Sequence, residues 1–327
     1  MPAARKRHRV GEIVTAGRVV VVRKTSAIER QALQRDSRVA RVLAEGGAMA
    51  QRLRQAHDEH EATCVSVEAA LRAAGCEVRV VSGLRRRDAA HADLIVTVGG
   101  DGTFLRASHH VAGDARSDGP PMLGVNSAPL SSVGYFCAGS AASFEAVLGR
   151  ILAGEYRSRA LWRMRIHLNG VPIADAALND ALFAHREPAE TTRYTLEADG
   201  RSQRQKSSGL WIATAAGSTG AIRSAGGDIQ DLDDRRVQFR VRELFPLSVG
   251  DDAPVIAGKV DVLRLRSHTT DGVLWIDGAH RRVPFGLGDL LQFSTDAAPL
   301  PWLEPEGSAE RRAHLRRQSE RVLLAAR

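Results

Sequence analysis

The run Leu94-Ile95-Val96-Thr97-Val98 leads straight into Gly99-Gly100-Asp101-Gly102-Thr103. Residues of this apolar, β-branched kind make a strand buried on both faces, and such strands belong to parallel sheets covered by helices on both sides. The glycines then turn the chain into a helix, and in open parallel sheets that carboxyl edge is where ligands bind. Without a Cβ they let the backbone approach a phosphate and leave amide donors near the positive end of the helix that follows. Thr103 is placed to cap that helix. Asp101, held on a rigid turn, is placed to act as a general base or to help hold a metal beside a phosphoryl donor. Taken alone, the same residues make an ordinary tight turn. They match neither GxGxxG nor GxxxxGK[ST], so neither a dinucleotide-reducing enzyme nor a P-loop ATPase is indicated.

The surrounding pattern repeats the strand-helix alternation. Arg18 to Arg23, with four consecutive valines, reads as a buried strand; Ser26 to Gly75 reads as two helices parted at Gly46 and Gly47; Glu77 to Val81 is a second strand. Phe104 to Val111 continues a short helix broken by Pro120 and Pro121, Met122 to Val125 is another strand, and Ser143 to Leu152 another helix. The expectation is a doubly wound α/β domain over residues 12–155. The second half changes to short strand-like runs: Met164–Leu168, Ala181–Ala184, Tyr194–Ala198, Val237–Val241, Val260–Leu265 and Val273–Ile276. They predict a β-rich, sandwich-like domain over residues 156–290. Residues 291–327 read as a largely helical segment that packs back on the first domain, its arginines forming either a solvated basic face or a polyanion contact.

Composition narrows the classes. A chain of 327 residues with 43% hydrophobic and 26% charged residues is long enough for two cores and too polar for a membrane protein. The formal charge of +8 favours polyanionic ligands, nucleotide phosphates or nucleic acid, without choosing between them. With 5% aromatic residues and no aromatic-basic interleaving, a single-strand nucleic-acid platform is disfavoured. The basic cluster Arg5, Lys6, Arg7, His8, Arg9 is followed only by the short apolar run Val19–Val22, too short for a signal core or a membrane span. Cys64, Cys76 and Cys137 form no CxxC pair, which argues against a zinc site and suits a reducing, cytoplasmic setting. His109 and His110 are adjacent, point about 100° apart on a helix and have no i+4 partner, so no metal ligand is assigned. His185 is near Asn179 in sequence and nothing more.

Three further segments join the glycine turn: Leu178-Asn179-Asp180, Ser207 to Gly227 (SSGLWIATAAGSTGAIRSAGG), and Trp275-Ile276-Asp277-Gly278. In this order, over roughly residues 90 to 290, they resemble the NAD kinase family, which phosphorylates the adenosine ribose 2′-hydroxyl of NAD. The segments Gly124-Val125-Asn126-Ser127 and Gly134-Tyr135-Phe136 look most like its plant NADH kinase branch. The resemblance implies that Asp101 is the proton acceptor. It places Gly100, Gly102, Thr103, Arg106 and Asn126 against the bound nucleotide, and makes Asn179, Asp180 and Asp277 substrate-binding. The loop would follow the dinucleotide with Thr214, Gly217, Ser218, Thr219, Gly220 and Ser224, while Lys206 and Ser208 stand near its phosphates. Asp180 replaces the family's usual Glu, Ser208 stands where many members carry a carboxylate, and Ala221 stands where an aromatic residue is common.

The implied reaction moves the terminal phosphoryl group of ATP, with Mg²⁺ or a similar divalent ion, onto NAD or NADH. The donor, ATP or polyphosphate, and the redox form of the acceptor stay open at this point. Family likeness also implies a homo-oligomer, dimer or tetramer, with no nucleic-acid or membrane partner. Two alternatives are a lipid kinase of the diacylglycerol or sphingosine type, which shares a Gly-Gly-Asp-Gly turn, and a non-catalytic dinucleotide-binding protein. A lipid substrate calls for an apolar cleft or interfacial helix, whereas the helical stretches here are rich in arginine and poor in Trp and Phe.

Overall fold

The computed structural model describes residues 8–34, 37–112, 118–129, 133–173, 176–249, 253–279 and 281–325. It divides into two compact units, Met1–Ala160 with Leu300–Glu306, and Leu161–Pro299 with Gly307–Arg327.

Unit 1 holds β1 (Arg18–Arg23), α1 (Ala27–Gln34), α2 (Ser37–Glu45), α3 (Gly47–Ala73), β2 (Glu77–Val81), α4 (Arg86–Ala89), β3 (Leu94–Gly99), α5 (Asp101–Ser108), β4 (Met122–Asn126), β5 (Cys137–Ser140) and α6 (Phe144–Leu152). Three helices, not two, span residues 27–73. Parallel pairing runs β2, β1, β3, β4, β5 across the sheet. The chain leaves β1 towards one edge and β3 towards the other, so the direction switches between β1 and β3. Every residue of β3 is buried, as its unbroken apolar run requires of a strand covered on both faces. Val19, Val21, Leu94, Val96 and Val98 pack with Cys64, Val67 and Leu71 of α3 and Phe144, Leu148 and Ile151 of α6.

Unit 2 holds β6 (Arg159–Leu168), β7 (Val171–Pro172), β8 (Asp180–His185), β9 (Thr192–Ala198), β10 (Arg201–Ser207), β11 (Leu210–Ala213), a 3₁₀ turn (Ala216–Thr219), α7 (Ala221–Ser224), β12 (Val237–Val241), β13 (Ala257–Val260), β14 (Val262–Ser267), β15 (Gly272–Ile276), β16 (Arg281–Phe285), β17 (Leu290–Trp302) and α8 (Ser308–Ala325). One sheet runs β13, β12, β11, β8, β15, β16; the other contains β10, β9, β14, β17 and β6. Alternate residues of both sheets, among them Met164, Phe183, Tyr194, Leu196, Ile212, Phe239, Leu263, Leu274 and Phe293, share one core. This is the sandwich arrangement.

The C-terminal segment differs from the expectation for residues 291–327. Its first part is strand, because Leu291, Phe293, Leu300 and Trp302 are fully buried sheet residues. Residues 300–306 join unit 1, where Trp302 pairs with Met122, while α8 belongs to unit 2. The polar strand β10 was unreadable by hydrophobicity, since its inward positions are Gln203, Gln205 and Ser207. They are satisfied by hydrogen bonds, Gln205 Nε2 to the Val255 carbonyl and the Tyr194 hydroxyl to Gln205 Oε1.

Within the sandwich core the Phe183 ring stacks on Phe285 at 4.3 Å and meets Tyr194 edge-on at 5.6 Å. Truncation, Phe183→Ala, is expected to cost about 3–5 kcal/mol in denaturant unfolding; a loss below about 1 kcal/mol would contradict this packing.

Candidate active site

The glycine turn sits at the carboxyl end of β3, beside the β1/β3 switch. Lys24 N–H donates to the Val98 carbonyl and Ser127 N–H to the Gly99 carbonyl, which ties the ends of β1 and β4 to it. A Cβ on Gly99 would lie 2.4 Å from Thr103 Oγ1, so close approach alone demands glycine there. Gly102 is the opposite case: nothing lies within 4 Å of a Cβ built on it, so packing gives no reason for its glycine. Gly100 is the N-cap of α5, no side chain caps the helix, and Thr103 is buried inside its first turn. The expected Thr103 cap is therefore replaced by a packing role.

Asp101 is the first residue of α5, where the helix dipole favours a negative charge. Its Oδ2 accepts the Tyr135 N–H at 3.0 Å and its Oδ1 the Phe136 N–H at 2.9 Å. Each carboxylate oxygen has two lone pairs, so both retain acceptor capacity towards a hydroxyl. The amides are themselves held. Phe136 stacks on Phe104 at 5.0 Å and meets Trp302 edge-on at 6.1 Å, and the Trp302 Nε1–H donates to the Phe136 carbonyl at 3.1 Å. Asn126 Oδ1 accepts the Ala128 N–H, and its amide abuts Gly134, where a Cβ would lie 2.5 Å from Nδ2. Arg106, on α5, is exposed and has no ion-pair partner among the described residues. Desolvation, then the like charge of Arg30, holds its guanidinium below the usual arginine range.

In unit 2, Asp180 opens β8 and Asn179 lies in the bend just before it, half-buried instead of in a solvent turn. The Asp277 carboxylate accepts three successive amides, Leu178 at 2.8 Å, Asn179 at 2.7 Å and Asp180 at 3.1 Å. Asp277 is 2% exposed, so it builds the site and is not offered to a ligand, contrary to the expectation that it binds substrate. Asn179 Oδ1 is a buried acceptor without a partner among the described residues, an arrangement that a donor from a ligand would relieve. Burial first, then repulsion from Asp277, pushes the Asp180 carboxyl up to about 7.

The glycine-rich loop packs around this pair. A Cβ on Gly217 would lie 1.9 Å from the Asn179 carbonyl, and one on Gly220 would lie 3.6 Å from Asp180 Oδ2 and 3.7 Å from Asn179 Nδ2. Close approach therefore demands glycine at Gly217, whereas the Gly220 distances to the pair are ordinary contact. Thr214 and Ser218 are fully buried, with hydroxyls donating to the Leu178 and Ala215 carbonyls, so they shape the loop and do not face a dinucleotide. Thr219 is half-buried and Ser224 exposed. Lys206 lies elsewhere: its ammonium is 5.0 Å from the centre of the Phe245 ring and its N–H donates to Ser248 Oγ. Ser208, half-buried, donates its N–H to the Arg242 carbonyl. His185 stands at the far end of β8 from Asn179. Sequence reading missed the Tyr135 and Phe136 amides, Trp302 and Arg312, because their roles arise from residues distant in the chain.

Among the described residues, one group could present metal-ligand atoms together, Glu29, His57 and Glu61, within 4.8 Å of one another. The Arg23 guanidinium bridges both glutamates there and offsets one of their two charges. Among the described residues, no helix is long and apolar enough to cross a membrane.

A strand-end glycine turn presenting a carboxylate, on a doubly wound sheet with a β-sandwich unit, defines a nucleotide-binding α/β protein. The family description "ATP-NAD kinase N-terminal domain" matches residues 18–156. A probable NADH kinase of Oryza sativa subsp. japonica is 35% identical over 239 residues, 65% of this chain and 71% of that protein. The NADH kinase of Arabidopsis thaliana is 35% identical over 246 residues, 66% of this chain and 75% of that one. The chain belongs to the NAD kinase family. In fold it matches the crystal structure of an NAD kinase from Archaeoglobus fulgidus in complex with ATP, with TM-score 0.65 at 21% identity, over 92% of this chain and 98% of that one.

The native state holds the Asp180 proton more tightly than the unfolded chain does. This contribution to stability is complete below the ordinary carboxylate value of 3.8 and is lost as pH rises through about 7. The Tm of the wild type relative to Asp180→Asn, which mimics the protonated form, is therefore expected to fall across that window; parallel Tm curves would overturn the assignment.

Proposed function

We propose that this protein transfers the terminal phosphoryl group of ATP to the adenosine ribose 2′-hydroxyl of NAD or NADH, giving NADP or NADPH. The observation that carries this reading is Asp101, set at the first residue of α5 and fixed there by the Tyr135 and Phe136 amides, in a chain of this family. Likeness to the plant NADH kinases supports NADH as an accepted substrate.

Phosphoryl transfer asks mainly for positioning and charge neutralisation. Asp101 takes the proton of the 2′-hydroxyl on a remaining lone pair as the new oxygen–phosphorus bond forms. The bond from the γ-phosphorus to its bridging oxygen breaks, and ADP leaves with that electron pair. Exposed and without an ion-pair partner among the described residues, the Arg106 guanidinium is suited to a phosphate. Asn179 offers an acceptor and donors to adenosine groups, and protonated Asp180 can donate as well as accept. The divalent ion is taken to enter with ATP, whose phosphate oxygens can supply most of its ligands. Three buried free cysteines support a cytoplasmic setting. A homo-oligomer, dimer or tetramer, is part of the same reading and is measurable by light scattering.

Purified protein given ATP, Mg²⁺ and either NAD or NADH is expected to form product that a strictly NADP-dependent dehydrogenase detects; no product from either acceptor would overturn the reading. Asp101→Asn should retain dinucleotide binding while kcat falls by about 10²–10⁴-fold; near-normal turnover would remove Asp101 from the base role. Since a Cβ at Gly102 meets nothing and alanine is the better helix former, Gly102→Ala should not lower the melting temperature yet should weaken nucleotide binding in calorimetry. Unchanged affinity would show that the open space is not used.

A further inference from the structure

We infer that Arg312, on α8, is a positioning residue that sets the shape of the glycine-rich loop and through it the affinity for the dinucleotide. The inference rests on the functional reading above and adds to it a residue outside every motif of the family.

Arg312 is 6% exposed, unusual for a charged side chain. Its Nε donates to the Gln230 carbonyl at 2.8 Å. One terminal nitrogen donates to Ser218 Oγ at 2.9 Å and to the carbonyls of Ala215 and Gln230. Ser218 Oγ in turn donates to the Ala215 carbonyl at 2.7 Å and accepts the Gln230 N–H at 2.9 Å. A guanidinium, planar and rich in donors, thus fastens the start of the 3₁₀ turn, its serine and the irregular segment at Gln230 into one network. Removing it takes both guanidinium donors from the Gln230 carbonyl and leaves the Ala215 carbonyl to Ser218 alone, a loss that the loop can relieve by moving.

Movement there reaches the Asn179-Asp180 pair directly. The turn carries Gly217, whose backbone is in close contact with the Asn179 carbonyl, and leads to Gly220 beside the Asn179 amide and the Asp180 carboxyl. Close-packed neighbours transmit such a shift instead of absorbing it. Arg316, one helical turn further on, supplies an internal control. It donates to the Ile229 carbonyl at 3.1 Å and pairs with Asp231, so it holds α8 to the same segment without touching the loop.

The test uses the full-length enzyme, with kcat and KM for NADH and NAD measured for the wild type, Arg312→Ala, Arg312→Lys and Arg316→Gln, each with and without millimolar guanidinium. Arg312→Ala is expected to raise the dinucleotide KM about tenfold or more with kcat changed less than about threefold. Added guanidinium should bring that KM back towards the wild-type value, Arg312→Lys should fall between the two, and Arg316→Gln should leave KM unchanged. Should Arg312→Ala fail to fold, the KM of the Arg312→Lys enzyme decides alone: raised it supports the role, unmoved it overturns it. The inference is overturned if KM is unmoved in the Arg312 variants, if guanidinium rescues nothing, or if Arg316→Gln raises KM as much. An inert wild type would overturn the functional reading and this inference together; an active wild type with unmoved KM would overturn this inference alone.

Discussion

Three successive backbone amides converging on the Asp277 carboxylate are the constraint on which the rest of unit 2's candidate site depends. Charge-assisted bonds of this kind are among the stronger ones in a protein, and here they hold residues 178–180 at the entry to β8. Once that entry is fixed, the Asn179 carbonyl has a fixed place, Gly217 is the residue that fits against it, and Thr214 closes on the Leu178 carbonyl. The raised proton affinity of Asp180 follows from the same arrangement, because burial and the nearby Asp277 both disfavour its charge.

Unit 1 uses the same device with a different result. Asp101 also accepts consecutive amides, from Tyr135 and Phe136, but it does so half-buried and at a helix start. Its carboxylate is therefore oriented without being sealed off. Behind it, Phe104, Phe136 and Trp302 form an apolar support, with Trp302 delivered by the return of residues 300–306 to this unit. A carboxylate that must accept a proton at one point gains from such rigid backing, since a small displacement costs much of the advantage of orientation.

Much of this was legible beforehand. The four valines of β1 and the run into Gly99 marked buried parallel strands, and the glycine turn lay at the carboxyl end of one of them. Asn179, Asp180 and the loop were identified from the order of their motifs. Their division of labour was not. Hydroxyls at Thr214 and Ser218 look like ligand groups in a sequence, yet both are spent on carbonyls inside the fold. Asp277 looks like a binding residue and is a scaffold; the arginines near the C-terminus look like a solvated face, and Arg312 is buried.

Local chain chemistry alone decided what repeats over short distances: which runs are strands, where the backbone must turn tightly, and which carboxylate starts a helix. Periodicity and the missing Cβ act within a few residues, so they are visible in order along the chain. Folding decided which polar atoms are consumed and which are left over, because that depends on partners such as Trp302 for Phe136 or Arg312 for Ala215, separated by scores of residues. A hydroxyl or carboxylate has no role until its hydrogen bonds are counted in three dimensions, and only the packed chain performs that count.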